Sequence, residues 1–185
     1  ALAFETSGTT DGRPGRHYME TAALYDAALA AGFDRFMLAD RARLRYFNFV
    51  PNPAQRPASS LGYMMHRVSE TRGYGRTGWY LTGEALLFES CLKDLQAAIV
   101  ANEAIFLATT AFALVQLLDE MHRHGVSIRL PEGSRIMETG GFKGRTRAVD
   151  RSELYARTAE TFAVPQDRII AEYGMTELTS QYYGV

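Results

Sequence analysis

The sequence predicts an α/β fold, a layered sheet with helices on both faces. Three observations predict it. Strand-like and helix-like segments alternate along most of the chain. Glycine-rich turns sit at strand ends, where such folds place ligands. The 185 residues, 46% hydrophobic and 22% charged, suffice for one ordinary domain with a real core.

Thr6 to Arg16 (T-S-G-T-T-D-G-R-P-G-R) is a loop rich in Gly, Ser and Thr. A helix is expected from Tyr18 to Ala31, with Leu24, Tyr25, Ala28 and Leu29 at helical spacing and Gly32 as C-cap. Arg43 to Val50 reads as a strand stopped by Pro51 and Pro53. A proline-rich loop, Asn52 to Ser60, leads to a short helix from Leu61 to Glu70, and Thr71 to Gly83 is a second glycine-rich loop. Glu84 to Asn102 is the clearest helix, with Phe88, Cys91, Leu92, Leu95 and Ile99 on one stripe. Ala104 to Ala108 is a buried strand, and Thr110 to His124 a helix closed by Gly125. Ser134 to Glu138 is a strand opening into the turn Thr139 to Gly144. Asp150 and Glu153 have capping-box spacing for a helix reaching Phe162. Arg168 to Glu172 is a strand, and Tyr173 to Glu177 the turn that leaves it.

Composition excludes several classes. With 20 basic and 21 acidic residues the net charge is −1, which argues against nucleic acid as a main partner. One cysteine excludes an internal disulfide framework, and no Cys/His cluster has zinc spacing. The longest uncharged stretch, Ala104 to Leu118, is too short and too polar to span a membrane. A reducing cytoplasm is the expected compartment.

Three stretches can carry chemistry. Around Gly8, the hydroxyls of Thr6, Ser7, Thr9 and Thr10, the flexible Gly12 and Gly15, and the charges of Arg13 and Arg16 suit a polyphosphate, although a plain surface loop has the same composition. It is not a Walker A loop, since Arg13 and Pro14 stand where Lys-Ser/Thr would follow. In Tyr173-Gly174-Met175-Thr176-Glu177 a ring can stack on a base, a hydroxyl can meet a phosphate and a carboxylate can hold Mg²⁺; an ordinary turn is the alternative. Gly140 and Gly141 let a flat ring lie against the backbone, and Lys143 can meet an anion, unless this is only a tight turn. Gly73 to Gly78 matches G-x-G-x-x-G but lacks the strand before and helix after that a dinucleotide site needs. His122 and His124 point to different faces and read as solvated, His66 as packed beside Met64 and Met65, and Cys91 as a buried, inert thiol.

Taken together these stretches resemble a family. T-S-G-T-T-D-G-R-P and Y-G-M-T-E are similar to the phosphate loop and adenylate turn of AMP-forming acyl-activating enzymes. Pro57 to Met64, Leu130 to Gly144 and Glu172 to Tyr183 resemble the acyl-protein synthetase family, the LuxE-type fatty-acid–protein ligases. The resemblance spans essentially the whole chain. It implies ATP-dependent activation of a long-chain fatty acid to acyl-AMP, release of pyrophosphate and transfer to a protein thiol, with ATP and Mg²⁺ required. Ser7, Gly8, Thr9, Thr10 and Gly12, together with Thr6, would cradle the β- and γ-phosphates. Gly140 and Gly141 would line the adenine and acyl side, and Tyr173, followed by Gly174, would stack on adenine. Thr176 would contact the α-phosphate, and Glu177 would bind Mg²⁺. An acyl-reductase is the implied partner. The alternatives are a phenylacetate-type acyl-CoA ligase and a non-catalytic nucleotide- or lipid-binding fragment.

Asp11 departs from the superfamily loop T-S-G-T-T-G-x-P-K, and its carboxylate disfavours a triphosphate unless it faces away or sees the metal. The chain reads as a single partial adenylate-forming domain over residues 1–185, the middle of a longer protein. Sheet segments before the first loop, a ribose-binding aspartate, a lid domain with its lysine and an acyl-accepting cysteine are expected outside it. Open sheet edges favour pairing, so a homodimer is expected.

Overall fold

The computed structural model describes residues 2–6, 15–40, 43–140, 149–176 and 178–184. The chain opens with an antiparallel ribbon of β1 (Leu2–Glu5) and β2 (Arg16–Met19), followed by helix α1 (Ala23–Phe36) and strand β3 (Arg45–Phe49). Helix α2 (Ser60–Arg72) leads to β4 (Gly78–Trp79) and to a small hairpin of β5 (Leu81–Thr82) and β6 (Ala85–Leu86). Then come α3 (Phe88–Val100), β7 (Ile105–Thr110), α4 (Ala111–Arg123), β8 (Arg135–Thr139), α5 (Arg151–Phe162), β9 (Ile169–Gly174) and β10 (Gln181–Gly184).

Six of these strands form one sheet in the order β10-β9-β8-β7-β3-β4, parallel throughout except for the antiparallel edge strand β10. Alternation along each strand sends side chains to two separate cores. Tyr46 and Val50, Phe106 and Ala108, Met137 and Ile170 pack under α1 and α2. Phe47 and Phe49, Ile105 and Leu107, Ile136 and Ile169 pack against α3, α4 and α5. The expected α/β sheet covered on both faces is therefore present. With both faces covered, the central strands are buried along most of their length, and the polar side chains among them, Asn48, Thr109, Arg135 and Glu138, are buried too. At the end of the sheet where the parallel strands begin, the buried Arg135 donates to the Met37 and Gly133 carbonyls and pairs with Asp40 at 2.8 Å. Desolvation pushes the Asp40 carboxyl up, but hydrogen bonds from Arg168 and Arg135 outweigh it and hold the group at about 2.

Several element boundaries differ from expectation. Tyr18 belongs to β2, not to a helix, because Arg16–Met19 pairs residue by residue with β1. Gly32 lies inside α1, not at its end. The buried stripe runs on through Phe33, and a Cβ at Gly32 would stand 3.2 Å from the ring of Tyr183. The expected helix from Glu84 starts four residues later, at Phe88. Gly83, at φ +62°, turns the chain into the β5–β6 hairpin first. His66 is exposed on α2, 3.5 Å from Glu70, not packed beside the methionines. His124 is not simply solvated: its ring stacks on Phe88 at 4.7 Å. Gly73 caps the C-terminus of α2 and precedes β4, the reverse of the order a dinucleotide fingerprint requires. Among the described residues no helix is long and apolar enough to cross a membrane.

Candidate functional site at the strand C-termini

Chain order dictates where a crevice opens. β3 crosses to β4 through α2 on one face, whereas its neighbour β7 crosses to β8 through α4 on the other. The two crossovers diverge, so the C-terminal ends of β3 and β7 mark the topological switch point, where open α/β sheets bind ligands. Thr110 ends β7 and caps α4, accepting from the Ala113 N–H at 3.1 Å.

The β1–β2 ribbon is carried to this end of the sheet. Glu5 N–H donates to the Ala58 carbonyl at 2.8 Å, in the loop between β3 and α2. Phe4 packs on the rings of Tyr25 and Tyr63, at 5.8 and 5.3 Å. Beyond Glu5 the ribbon closes once more. Thr6 N–H donates to the Gly15 carbonyl at 2.9 Å, and Gly15 N–H donates to Thr6 Oγ1 at 2.8 Å. Thr6 thus anchors the base of the loop read as phosphate-binding. Ser7, Gly8, Thr9, Thr10 and Gly12, with Asp11, lie outside the described residues. Arg16, expected to add positive charge to the loop, pairs with Glu5 at 3.1 Å.

The first turn of α2 forms a second wall. Ser59 is its N-cap, accepting from Gly62 N–H at 3.1 Å. Gly62 is needed there, because a Cβ would collide with the Pro51 carbonyl where the β3–α2 loop folds back. Ser60 follows, with its carbonyl accepting from the Tyr25 hydroxyl at 3.5 Å.

The turn leaving β9 completes the arrangement. Thr176 Oγ1 lies 3.3 Å from Ser60 Oγ and donates to the Glu5 carbonyl at 3.5 Å. Residues 5–6, 59–60 and 176 are thereby brought into one place. Tyr173 is more than half exposed, as a stacking ring must be, and Gly174 is exposed beside it. Gly140 ends β8 at φ +73°, with nothing within 4 Å of where a Cβ would stand. Thr139 pairs in register with Glu172, so Gly140 leaves β8 beside Tyr173, which is not in the expected turn but still in β9, where it pairs with Tyr182 of β10. Gly141, Lys143 and Glu177 lie outside the described residues.

Sequence reasoning missed two residues of this region. One is Ser60, which the sequence marks only as part of the Pro57 to Met64 stretch and as the residue after a Ser N-cap. The other is Glu172, 5% exposed, whose carboxylate folds back to within 2.6 Å of where a Gly174 Cβ would stand. Desolvation pushes this carboxyl up to about 7, with the Thr139 hydrogen bond opposing the rise and Glu138 adding to it. Glu138 faces the opposite side, paired with Arg151 at 2.8 Å and the Tyr155 hydroxyl at 3.1 Å.

Cys91 is fully buried, and burial pushes its thiol up, so it is no nucleophile. Among the described residues no group of three His, Cys, Asp or Glu side chains is placed to hold a metal. A groove of about 460 Å³ between α4 and α5, bounded by Leu118, His122, Arg157 and Glu160, lies at the C-terminal ends of these helices, away from the switch point. Compared with known proteins, the chain matches no family model and no curated protein.

Proposed function

We propose that this chain binds ATP and a long-chain fatty acid at the C-terminal edge of its sheet, forms acyl-AMP, and passes the acyl group to a protein thiol. The observation that carries the reading is the meeting of Thr176 with Ser60 and with the Glu5 carbonyl, next in the chain to Thr6 at the base of the first loop. Motifs that resemble a phosphate loop and an adenylate turn, about 170 residues apart in the chain, arrive at one place.

The reaction joins a carboxylate oxygen to the α-phosphorus and breaks the bond to the oxygen bridging toward the β-phosphate. That oxygen leaves with the electron pair as pyrophosphate. The carboxylate is already ionised at neutral pH, so no general base is required. The chain's task is to bring two anions together and hold them in line. Thr176 donates its hydroxyl to an α-phosphate oxygen, exchanging the long contact to the Glu5 carbonyl. The Thr6–Gly15 closure fixes where the phosphate loop begins and ends. Tyr173 offers its exposed ring to adenine.

Hydroxyls and backbone groups suit phosphate oxygens. The carboxylate expected to hold Mg²⁺ is Glu177, next in the chain after Thr176. Bound magnesium supplies neutralisation of the triphosphate charge.

Trapping the activated acyl group with hydroxylamine tests the proposal. With ATP, Mg²⁺ and palmitate the protein should yield the hydroxamate, and Glu177→Gln should lower the rate at least about 10²-fold, the loss expected for an electrostatic contact to developing charge. Unchanged Mg²⁺-dependent hydroxamate formation by Glu177→Gln would remove the role assigned to Glu177.

A further inference from the structure

Three contacts fix Ser60 before any ligand arrives. Ser59 caps the helix, Pro51 closes over Gly62, and the Tyr25 hydroxyl donates to the Ser60 carbonyl. The Ser60 hydroxyl then stands 3.3 Å from Thr176 Oγ1. Of the two groups on Thr176, the Glu5 carbonyl can only accept, so the Thr176 hydrogen points to it and Thr176 Oγ1 accepts from Ser60. The chain of donation runs from Ser60 to Thr176 to Glu5. Its last link, at 3.5 Å, is long and is readily exchanged for a stronger acceptor.

We propose that Ser60 is a positioning residue for Thr176: by donating to Thr176 Oγ1 it turns the Thr176 hydrogen toward an anionic phosphate oxygen bound beside β1 and β9. Ser60 does not touch the nucleotide. It removes the rotational freedom of a hydroxyl that would otherwise split between acceptors. The inference rests on the nucleotide reading above and assigns a role to a residue that reading does not use.

A double-mutant cycle tests it, with Mg·ATP affinity measured by titration calorimetry on the 185-residue chain. Ser60→Ala should weaken binding about 3- to 10-fold, the range of one net hydrogen bond. Ser60→Thr, which keeps the hydroxyl, should bind within about 2-fold of the wild type. In a Thr176→Val background, Ser60→Ala should change affinity less than about 2-fold, because there is no hydroxyl left to orient. Melting without nucleotide separates loss of binding from loss of fold; if Ser60→Ala unfolds, Ser60→Cys, of similar size and with a weak donor, takes its place in the cycle. Full-strength binding by Ser60→Ala alongside weakened binding by Thr176→Val would overturn the positioning role alone, as would a Ser60→Ala loss of equal size in the Thr176→Val background. Absence of Mg·ATP binding by the wild type would overturn the nucleotide reading, and the role of Ser60 with it.

Discussion

At the scale of single residues, the buried carboxyl at the end of β9 makes stability depend on pH. Glu172 moves from 4.5 to about 7 on folding because burial disfavours its charge. Between those values the folded chain holds a proton that the unfolded chain has released. The group therefore weakens folding progressively as pH rises through this window, and the full penalty is present above about 7. At ~1.4 kcal/mol per pH unit, the penalty is on the order of 3 kcal/mol. Glu172→Gln keeps the size and the acceptor for Thr139 but cannot ionise. In urea titrations the variant should gain on the wild type by about 2–3 kcal/mol between pH 5 and pH 8. A difference that stays constant over that range would show that Glu172 does not titrate there. Nothing in A-E-Y-G-M-T-E marks this carboxyl as buried. The cause is its cross-strand neighbours Thr139 and Tyr183, which lie far off in the chain or on an unexpected strand.

At the scale of elements, apolar periodicity and stop signals carried most of the fold. The runs in β3 and β7, the stripe of α3, the Asp150 cap of α5 and the Gly125 stop were all legible. The misses share one cause, pairing that local sequence does not encode. Arg16–Met19 is a strand only because Leu2–Glu5 lies beside it, and Gln181–Gly184 only because it adds to β9. Gly32 misled for a related reason: glycine usually ends a helix, yet here it admits the Tyr183 ring. The start of α2 is where element and site depend on each other. A methyl group at Gly62 must push back the Pro51 carbonyl, and with it the turn that places Ser59 and Ser60. Gly62→Ala should destabilise the protein by about 1–3 kcal/mol in chemical denaturation and loosen the amide protection of residues 59–62 in hydrogen exchange. Wild-type stability and unchanged protection would show that the loop yields without consequence.

At the scale of the whole molecule, the candidate site was legible as pieces but not as an assembly. The sequence marks a hydroxyl- and glycine-rich loop, a double-glycine turn and Y-G-M-T-E. It carries no register that would bring Thr176 to Ser60, 116 positions away. The sheet supplies that register, because the crossovers after the paired strands β3 and β7 diverge at their C-terminal ends and the β1–β2 ribbon folds over the same end. The central claim is that this end activates a carboxylate with ATP. Carboxylate-dependent exchange of labelled pyrophosphate into ATP tests it most directly. Assays with acetate, phenylacetate and C8 to C18 fatty acids should show Mg²⁺-dependent exchange with the long-chain acids and little with acetate or phenylacetate. No exchange with any acid, while ATP still binds, would contradict the claim and leave a nucleotide-binding fold without adenylation chemistry.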